Sequence, residues 1–314
     1  MKAQYTITQS EVGISARHPI SVWRLLERNK TVHPHDHAYH EICLCVGGSG
    51  WHLTGNLRQK ISRGSILVSA PGQVHSVEIP EWLELFNLFY LAEWVFHDFQ
   101  DYWEHPQICM LFGESLLRNK GLESEPVKQL KLGSSSVRAA QKECEDLVAA
   151  TKEKDSSHLY LRATFEKIIA VIGADVEAQE KLKTQENGKP RRKEKKQEEG
   201  RRADVWRAMR RIETTIQSGD HFSVEDLAQS SPVQATQLSR LFVRETGRTP
   251  MEFYQRRRAQ VACVHLLNPL HSITEIGMNL GYTDTAHFSR VFHRLYRMSP
   301  RDFRIRHGIV SRES

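Results

Sequence analysis

Residues 273–300 read ITEIGMNLGYTDTAHFSRVFHRLYRMSP, and this stretch decides the C-terminal third of the chain. Ser272 is placed to cap a helix, and Glu275, three residues on, completes a capping box. Ile273, Ile276 and Leu280 give that helix an apolar stripe. Gly281 supplies the positive φ that a tight turn needs. A second helix is predicted from about Asp284 to Tyr296, burying Phe288, Val291 and Phe292 and exposing Thr285, Ala286, Ser289, Arg290 and Arg294. This is the layout of a helix-turn-helix, whose second helix enters the DNA major groove.

The layout occurs twice. Ser223, Val224, Asp226, Leu227 and Ala228 recur as Ser272, Ile273, Glu275, Ile276 and Gly277, an offset of 49. Ser239 to Phe242 recurs as Ser289 to Phe292, and Thr249 to Phe253 as Ser299 to Phe303, an offset of 50. Thr249-Pro250 and Ser299-Pro300 each read as an N-cap followed by proline at the first helical position. A tandem repeat of this period is one structural unit used twice.

The paired pattern resembles the C-terminal DNA-binding domain of the AraC/XylS transcription regulators, over about Asp204 to Arg306. In the first half the resemblance rests on Ala228, Leu238, Arg240, Phe242, Gly247, Pro250, Arg258 and Ala262; in the second on Ile276, Gly281, Tyr282, Phe288, Arg290, Phe292, Ser299 and Pro300. Pro232, Gln234, Gly277 and Arg297 depart from the family pattern, which has glycine, serine, alanine and glycine there. A first recognition helix is expected from about Ala235 to Glu245, with Thr236, Gln237, Ser239 and Arg240 outward. Arg240 and Arg290 are the strongest candidates for base reading, because guanidinium pairs bidentately with guanine O6 and N7. Gln237 suits adenine, while Thr236 and Ala286 suit a thymine methyl. Arg244, Arg256 and Arg294 suit phosphates. For Arg258 a structural ion pair and a phosphate contact are equally open.

Upstream, the pattern is β-rich from Lys30 onward. Tyr39–Val46, Gly50–Thr54, Ser65–Val68, Ser76–Ile79 and Trp82–Phe89 are short apolar or alternating runs separated by Gly, Pro and Asn. They suggest a small antiparallel barrel or sandwich. Within it, His35-Asp36-His37-Ala38-Tyr39-His40-Glu41 forms HxHxxxE, followed by Gly64 and by Pro71-Gly72-Gln73-Val74-His75. These motifs resemble the cupin barrel over about residues 20–95. The resemblance implies that His35, His37, Glu41 and His75 converge on one divalent metal, or else line an effector pocket. Three imidazoles and a carboxylate suit Zn, Fe, Ni or Mn. His33 and His40 read as surface or supporting residues, and Cys43 and Cys45, in phase with Glu41, as small core hydrophobes. Trp51, Trp82 and Trp94 are candidates for stacking on a sugar ring, with ordinary packing as the alternative for each.

The expected fold is α+β and multidomain. Residues 1–135 form a cupin-like effector-binding β-barrel. Residues 136–179 form a helical dimerisation segment carrying Val137, Ala140, Cys144, Leu147, Val148, Thr151, then Leu159, Phe165, Ile168, Ile169 and Ile172. Residues 180–203 are a flexible charged linker, and 204–314 an all-α domain with two helix-turn-helix motifs. Of the net charge of +6, residues 204–314 supply 16 Arg against 11 acids and residues 181–202 supply 10 bases against 4 acids, which leaves residues 1–180 acidic. The positive charge therefore lies where phosphates would be met. No apolar run approaches the ~20 residues of a membrane span, and the start, MKAQYTITQSEVG, lacks a signal peptide's apolar core. Five cysteines without CxxC spacing suit a reduced, cytoplasmic protein. The expected function is a sequence-specific transcription regulator, not an enzyme, controlled by a small effector, with a sugar or sugar derivative implied by the resemblance. Its expected partners are double-stranded DNA, a second copy of itself and RNA polymerase, with no membrane. The alternative is a metal-dependent cupin enzyme fused to a DNA-binding domain.

Overall fold

The computed structural model describes residues 2–15, 18–92, 105–113, 126–152, 157–186, 193–229 and 234–306. Trp94, Arg191, Arg192 and Pro232 lie outside this set. The chain divides into two compact units, the first built from residues 1–95, 107–115 and 120–188 and the second mainly from 189–314.

The first unit is sheet-rich. Its strands are β1 (Tyr5–Ile7), β2 (Ile20–His37), β3 (His40–Thr54), β4 (Leu57–Ser62), β5 (Ser65–Ser69), β6 (His75–Tyr90) and β7 (Lys128–Lys131). They form one seven-stranded sheet in the order β1-β2-β6-β3-β5-β7, with β4 pairing to β3. All pairings are antiparallel except β1 with β2.

The expected short runs are halves of longer strands. Tyr39–Val46, but for Tyr39 itself, and Gly50–Thr54 fall on the continuous β3, and Ser76–Ile79 and Trp82–Phe89 on β6. Gly and Pro, read as punctuation, instead sit at register shifts. Pro80 lies opposite the irregularity between Arg28 and Lys30, where no ladder donor is needed. The shifts in β3 between Cys45 and Trp51 require glycine. At Gly48, with φ +70°, a Cβ would lie 2.2 Å from the Trp82 carbonyl oxygen, and at Gly50 2.7 Å from that of Glu78. Gly48→Ala is expected to lower unfolding stability by ~1–3 kcal/mol, measured by denaturant titration.

Strand β2 begins well before Lys30. Among the described residues β1 pairs only with His35–His37, so Ile20 to Val32 is paired on one side only. An edge tolerates the polar residues Arg24, Glu27, Arg28 and Lys30 that hide the strand pattern. Cys43 and Cys45 are buried with Ile61, Leu67, Ile79, Leu83 and Leu85, as core residues.

Helix α1 spans Pro106–Phe112, α2 Ser134–Lys152 and α3 His158–Glu186. α2 and α3 pack on each other within the unit, α2 burying Val137, Ala140, Cys144 and Leu147 and α3 Phe165, Ile168, Ile169 and Ile172. Leu159 is 76% exposed instead of inward, because at 100° per residue it lies half a turn away from Ile168. Thr151 is also exposed, and Val148 half-buried.

The expected flexible linker is helical at both ends, since α3 continues to Glu186 and α4 runs from Lys193 to Ser218. Lys, Glu, Gln and Arg lack a core to bury but are strong helix formers, so low apolarity did not mean coil. The second unit's first helix accordingly starts eleven residues before Asp204. Val205, Met209, Ile212 and Ile216 face its core as expected.

The second unit continues with α5 (Val224–Gln229), α6 (Ala235–Thr246), α7 (Pro250–Leu266), α8 (Ile273–Asn279), α9 (Thr285–Tyr296) and α10 (Pro300–Arg306). Capping boxes form at Thr249/Glu252 and Ser272/Glu275. α6 ends on Gly247 at φ 72°, and α9 ends at the repeat-equivalent Arg297 at φ 58°. An arginine held in the left-handed region is strained, so Arg297→Gly is expected to stabilise the chain by ~1 kcal/mol, read as a raised Tm.

Candidate functional site

Each half of the second unit places one helix with a buried and an outward side. Leu238, Leu241 and Phe242 on α6 are buried, as are Phe288, Val291 and Phe292 on α9. Thr236, Gln237, Arg240 and Arg244 are exposed and Ser239 half-buried; Ala286, Arg290 and Arg294 are exposed, with Thr285 and Ser289 half-buried. The Asp284 side chain caps α9 by accepting from the His287 amide at 2.6 Å. Gln234, at the N-cap of α6, makes no side-chain cap. Thr285 donates to Thr274 Oγ1 at 3.2 Å, tying α9 to α8.

The other arginines divide by surroundings. Arg244 reaches its neighbour Glu245 at 2.7 Å, and Arg294 Nη2 donates to Gln255 Oε1 at 2.7 Å. Arg256 is half-buried on α7. Arg258 makes no ion pair among the described residues: it is buried, with its guanidinium 3.6 Å from the Tyr282 ring centroid and 4.8 Å from that of Tyr254. It braces α7 against the second turn by cation–π contact. Arg257, not singled out in the sequence, is fully buried: it donates to both Glu213 carboxylate oxygens and to Gln260 Oε1 at 2.6 Å. Arg304 likewise donates to the carbonyls of Leu266, Asn268 and His271.

In the first unit, the ends of β2 and β5, the start of β6 and both halves of β3 bring together a buried polar cluster. His35, His37, Glu41, His52 and His75 are each 8% exposed or less. Of the four motif residues, His37, Glu41 and His75 place donor atoms within 4.8 Å of one another. His35 joins through His75, their Nε2 atoms 3.0 Å apart. Trp51 is not brought to the cluster; its ring lies under the Arg58 guanidinium at 4.1 Å, on the opposite face of β3 from His52. Trp82 packs over Gly47 and Gly48.

The hydrogen bonds assign the tautomers. His37 Nδ1 lies 2.7 Å from the Tyr39 carbonyl and His35 Nδ1 2.9 Å from that of His33. Carbonyls only accept, so both Nδ1 atoms carry a proton, and in the neutral rings both Nε2 atoms present lone pairs. His75 then donates from Nε2 to His35, and its Nδ1 accepts from Ser69 Oγ at 3.1 Å. Asn87 Nδ2 donates to Glu41 Oε1 at 2.8 Å, leaving Oε2 directed at His37 Nε2, 3.5 Å away, and His75 Nε2, 3.7 Å away. Burial holds the His75 imidazolium pKa well below its ordinary value, with the neighbouring imidazoles adding to the effect. The His52 imidazolium is pushed down to about 4, again chiefly by burial. The His52 and His75 rings are therefore neutral near neutral pH.

Two acceptors, His37 Nε2 and Glu41 Oε2, thus face each other in a buried site, and His37 Nε2 has no hydrogen-bond partner among the described residues. Such a pair requires a cation or proton between them. Donors bound at ~2.0–2.1 Å around a tetrahedral ion stand about 3.3 Å apart, close to the 3.5 and 3.7 Å that separate Glu41 Oε2 from His37 and His75. The residues fit a divalent transition metal. Sequence reasoning missed Ser69, Asn87 and His52, whose places depend on strand pairing.

Residues 25–142 match the family described as AraC-like ligand binding domain, and residues 227–306 match one described as helix-turn-helix domain. The chain is 23% identical over 298 residues to the HTH-type transcriptional activator RhaR of Mannheimia succiniciproducens, covering 93% of this chain and 94% of that protein. It is 36% identical over 89 residues to the HTH-type transcriptional activator RhaS of Salmonella newport, spanning about a third (32%) of that protein's length. Among solved structures, an AraC-type regulator from Chromobacterium violaceum shares 28% identity over 33% of this chain and 92% of that chain, with a TM-score of 0.32. Fatty-acid-bound ToxT of Vibrio cholerae shares 12% over 94% of this chain and 98% of that chain, with a TM-score of 0.37.

Proposed function

We infer that this chain, which belongs to the AraC family of transcription regulators, reads a specific DNA site with α6 and α9 and is controlled by a small effector in its first unit. The observation that carries this reading is the doubled geometry of the second unit. Two recognition helices each bury an aromatic side and expose an arginine at the same repeat position, Arg240 and Arg290. Two helices on one domain suit successive major grooves, about 34 Å apart. Thr236, Gln237, Ser239, Thr285, Ala286 and Ser289 are assigned to base edges, and Arg244, Arg256 and Arg294 to phosphates. The intrahelical and interhelical contacts of Arg244 and Arg294 would hold those side chains in place. A homodimer would read a repeated site, and effector binding would shift which half-sites can be bridged. A sugar or sugar derivative is the effector class that the family resemblance favours, and RNA polymerase is the partner through which such a regulator acts.

A divalent ion would be held by His37, Glu41 and His75, and it supplies a fixed positive charge between β2, β3 and β6. To present Nε2, His75 must move its proton to Nδ1, where Ser69 Oγ accepts it. Turnover by a cupin-type enzyme would need substrate to reach donors that are almost fully buried, which favours the regulator.

Sheared DNA from the source organism, retained on the purified protein and sequenced, tests the reading. A few sharply enriched sites support it; uniform retention overturns it. Thermal shifts with a panel of sugars test the effector class, and no shift with any of them would remove the sugar assignment.

A further inference from the structure

Among the tryptophans described in the first unit, Trp51 and Trp82 stand on the outer face of the sheet, and Trp23 on the inner one. The inner face of β6 is the one that buries Leu83 and Leu85 with Cys43 and Cys45. Asn87 continues that face by period-two alternation, and the ladder sets Trp23 of β2 directly opposite Asn87. Directly opposed residues share a face, with Cβ atoms about 4.5–5.5 Å apart. Yet Trp23 is 40% exposed, its ring edge-on to Phe89 with centroids 5.2 Å apart. Leu25, next along the same face of β2, is half-buried. A large aromatic ring left open on the core-bearing face marks a place that the protein's own side chains do not fill.

Asn87 gives that place its polarity. Its Nδ2 is committed to Glu41 Oε1 at 2.8 Å, and a carboxylate only accepts, so the orientation of the amide is fixed. Oδ1 is then an acceptor, shielded from solvent and without a hydrogen-bond partner among the described residues. Such an atom calls for a donor. A hydroxyl supplies one, whereas an ionised carboxylate does not.

We propose that Trp23 and Asn87 form a subsite for a neutral polyhydroxylated ring, whose C–H face lies on the Trp23 indole and one of whose hydroxyls donates to Asn87 Oδ1. This rests on the effector reading of the first unit and uses none of the HxHxxxE or PGxxxH residues.

The test is calorimetric titration of the full chain with neutral aldopentoses, aldohexoses and 6-deoxyhexoses, and with decanoate as an aliphatic carboxylate. Wild type is expected to bind at least one of the sugars and not decanoate. Trp23→Ala is expected to bind that sugar at least about tenfold more weakly, with Trp23→Phe between the two. Asn87→Ala is expected to bind it about three- to tenfold more weakly. Among monodeoxy analogues, the one lacking the hydroxyl that meets Asn87 should bind wild type more weakly than the parent sugar, while Asn87→Ala should bind both alike. Trp51→Phe is the control, because its ring lies on the outer face under Arg58, and it is expected to keep wild-type affinity. Intermolecular NOEs from the sugar's C–H protons to the Trp23 ring are expected in wild type, a readout that needs no variant. Wild type that binds a sugar, with the Trp23 and Asn87 variants unchanged and no such NOEs, overturns this subsite and leaves the effector reading standing. Wild type that binds none of the sugars, whether or not it takes decanoate, overturns the subsite and the sugar class together; the reading of DNA is tested separately by the enrichment of sites.

Discussion

Arg257→Ala is expected to cost ~3–5 kcal/mol of unfolding stability, the loss that follows when one partner of a buried ion pair is removed. Arg257 and Glu213 are 2% and 3% exposed at their side chains. Truncation leaves the Glu213 carboxylate buried without its cation and also strips Gln260 of a donor. The loss would spread beyond α7, because Glu213 lies on α4 and the pair joins the first helix of the unit to the helix between the two repeats. Urea melts followed by circular dichroism check it. A companion variant separates charge from packing. Arg257→Met with Glu213→Leu removes both charges while keeping volume, and is expected to recover most of the lost stability. Should the single and double variants be equally unstable, shape and not the unpaired carboxylate would be the cause.

The second large effect is on DNA. Each bidentate arginine–guanine contact is worth ~1–3 kcal/mol of discrimination. Arg240→Ala with Arg290→Ala is therefore expected to weaken binding to an enriched site by roughly 30-fold to 20,000-fold. The two sites lie in separate repeats, so the single losses should add. Specificity should relax at one position in each half-site. Arg294→Ala should instead weaken all sequences alike and reduce the salt dependence. Fluorescence anisotropy on matched and mutated sites distinguishes these patterns. Uniform weakening by the double variant would move Arg240 and Arg290 to the phosphates.

Much of the second unit was legible because its determinants are local. The capping box at Ser272, the N-cap at Thr249, the aromatic and aliphatic stripe of α9, and the left-handed Gly281 act within a few residues of themselves. The repeat then doubles every local signal. Arg258 shows the limit of this reading. Its neighbours in sequence suggest an ion pair or a phosphate, but its partners are the rings of Tyr254 and Tyr282, and Tyr282 is brought to it only by the packing of α8 and α9 on α7.

By itself, the sequence determined the two helix-turn-helix motifs, the sheet-rich first unit, the outward arginines and the buried thiols, because period and capping are written along the chain. Only the tertiary structure decided that His52 joins the histidine cluster and that Trp51 does not. A one-residue shift in strand register exchanges the faces of every following side chain. The irregularities in β3 between Cys45 and Trp51 thereby put His52 inside and Trp51 under Arg58 on the outside. Whether an imidazole ends up as a donor or a surface group depends on strands more than twenty residues away, and no spacing within one strand encodes that.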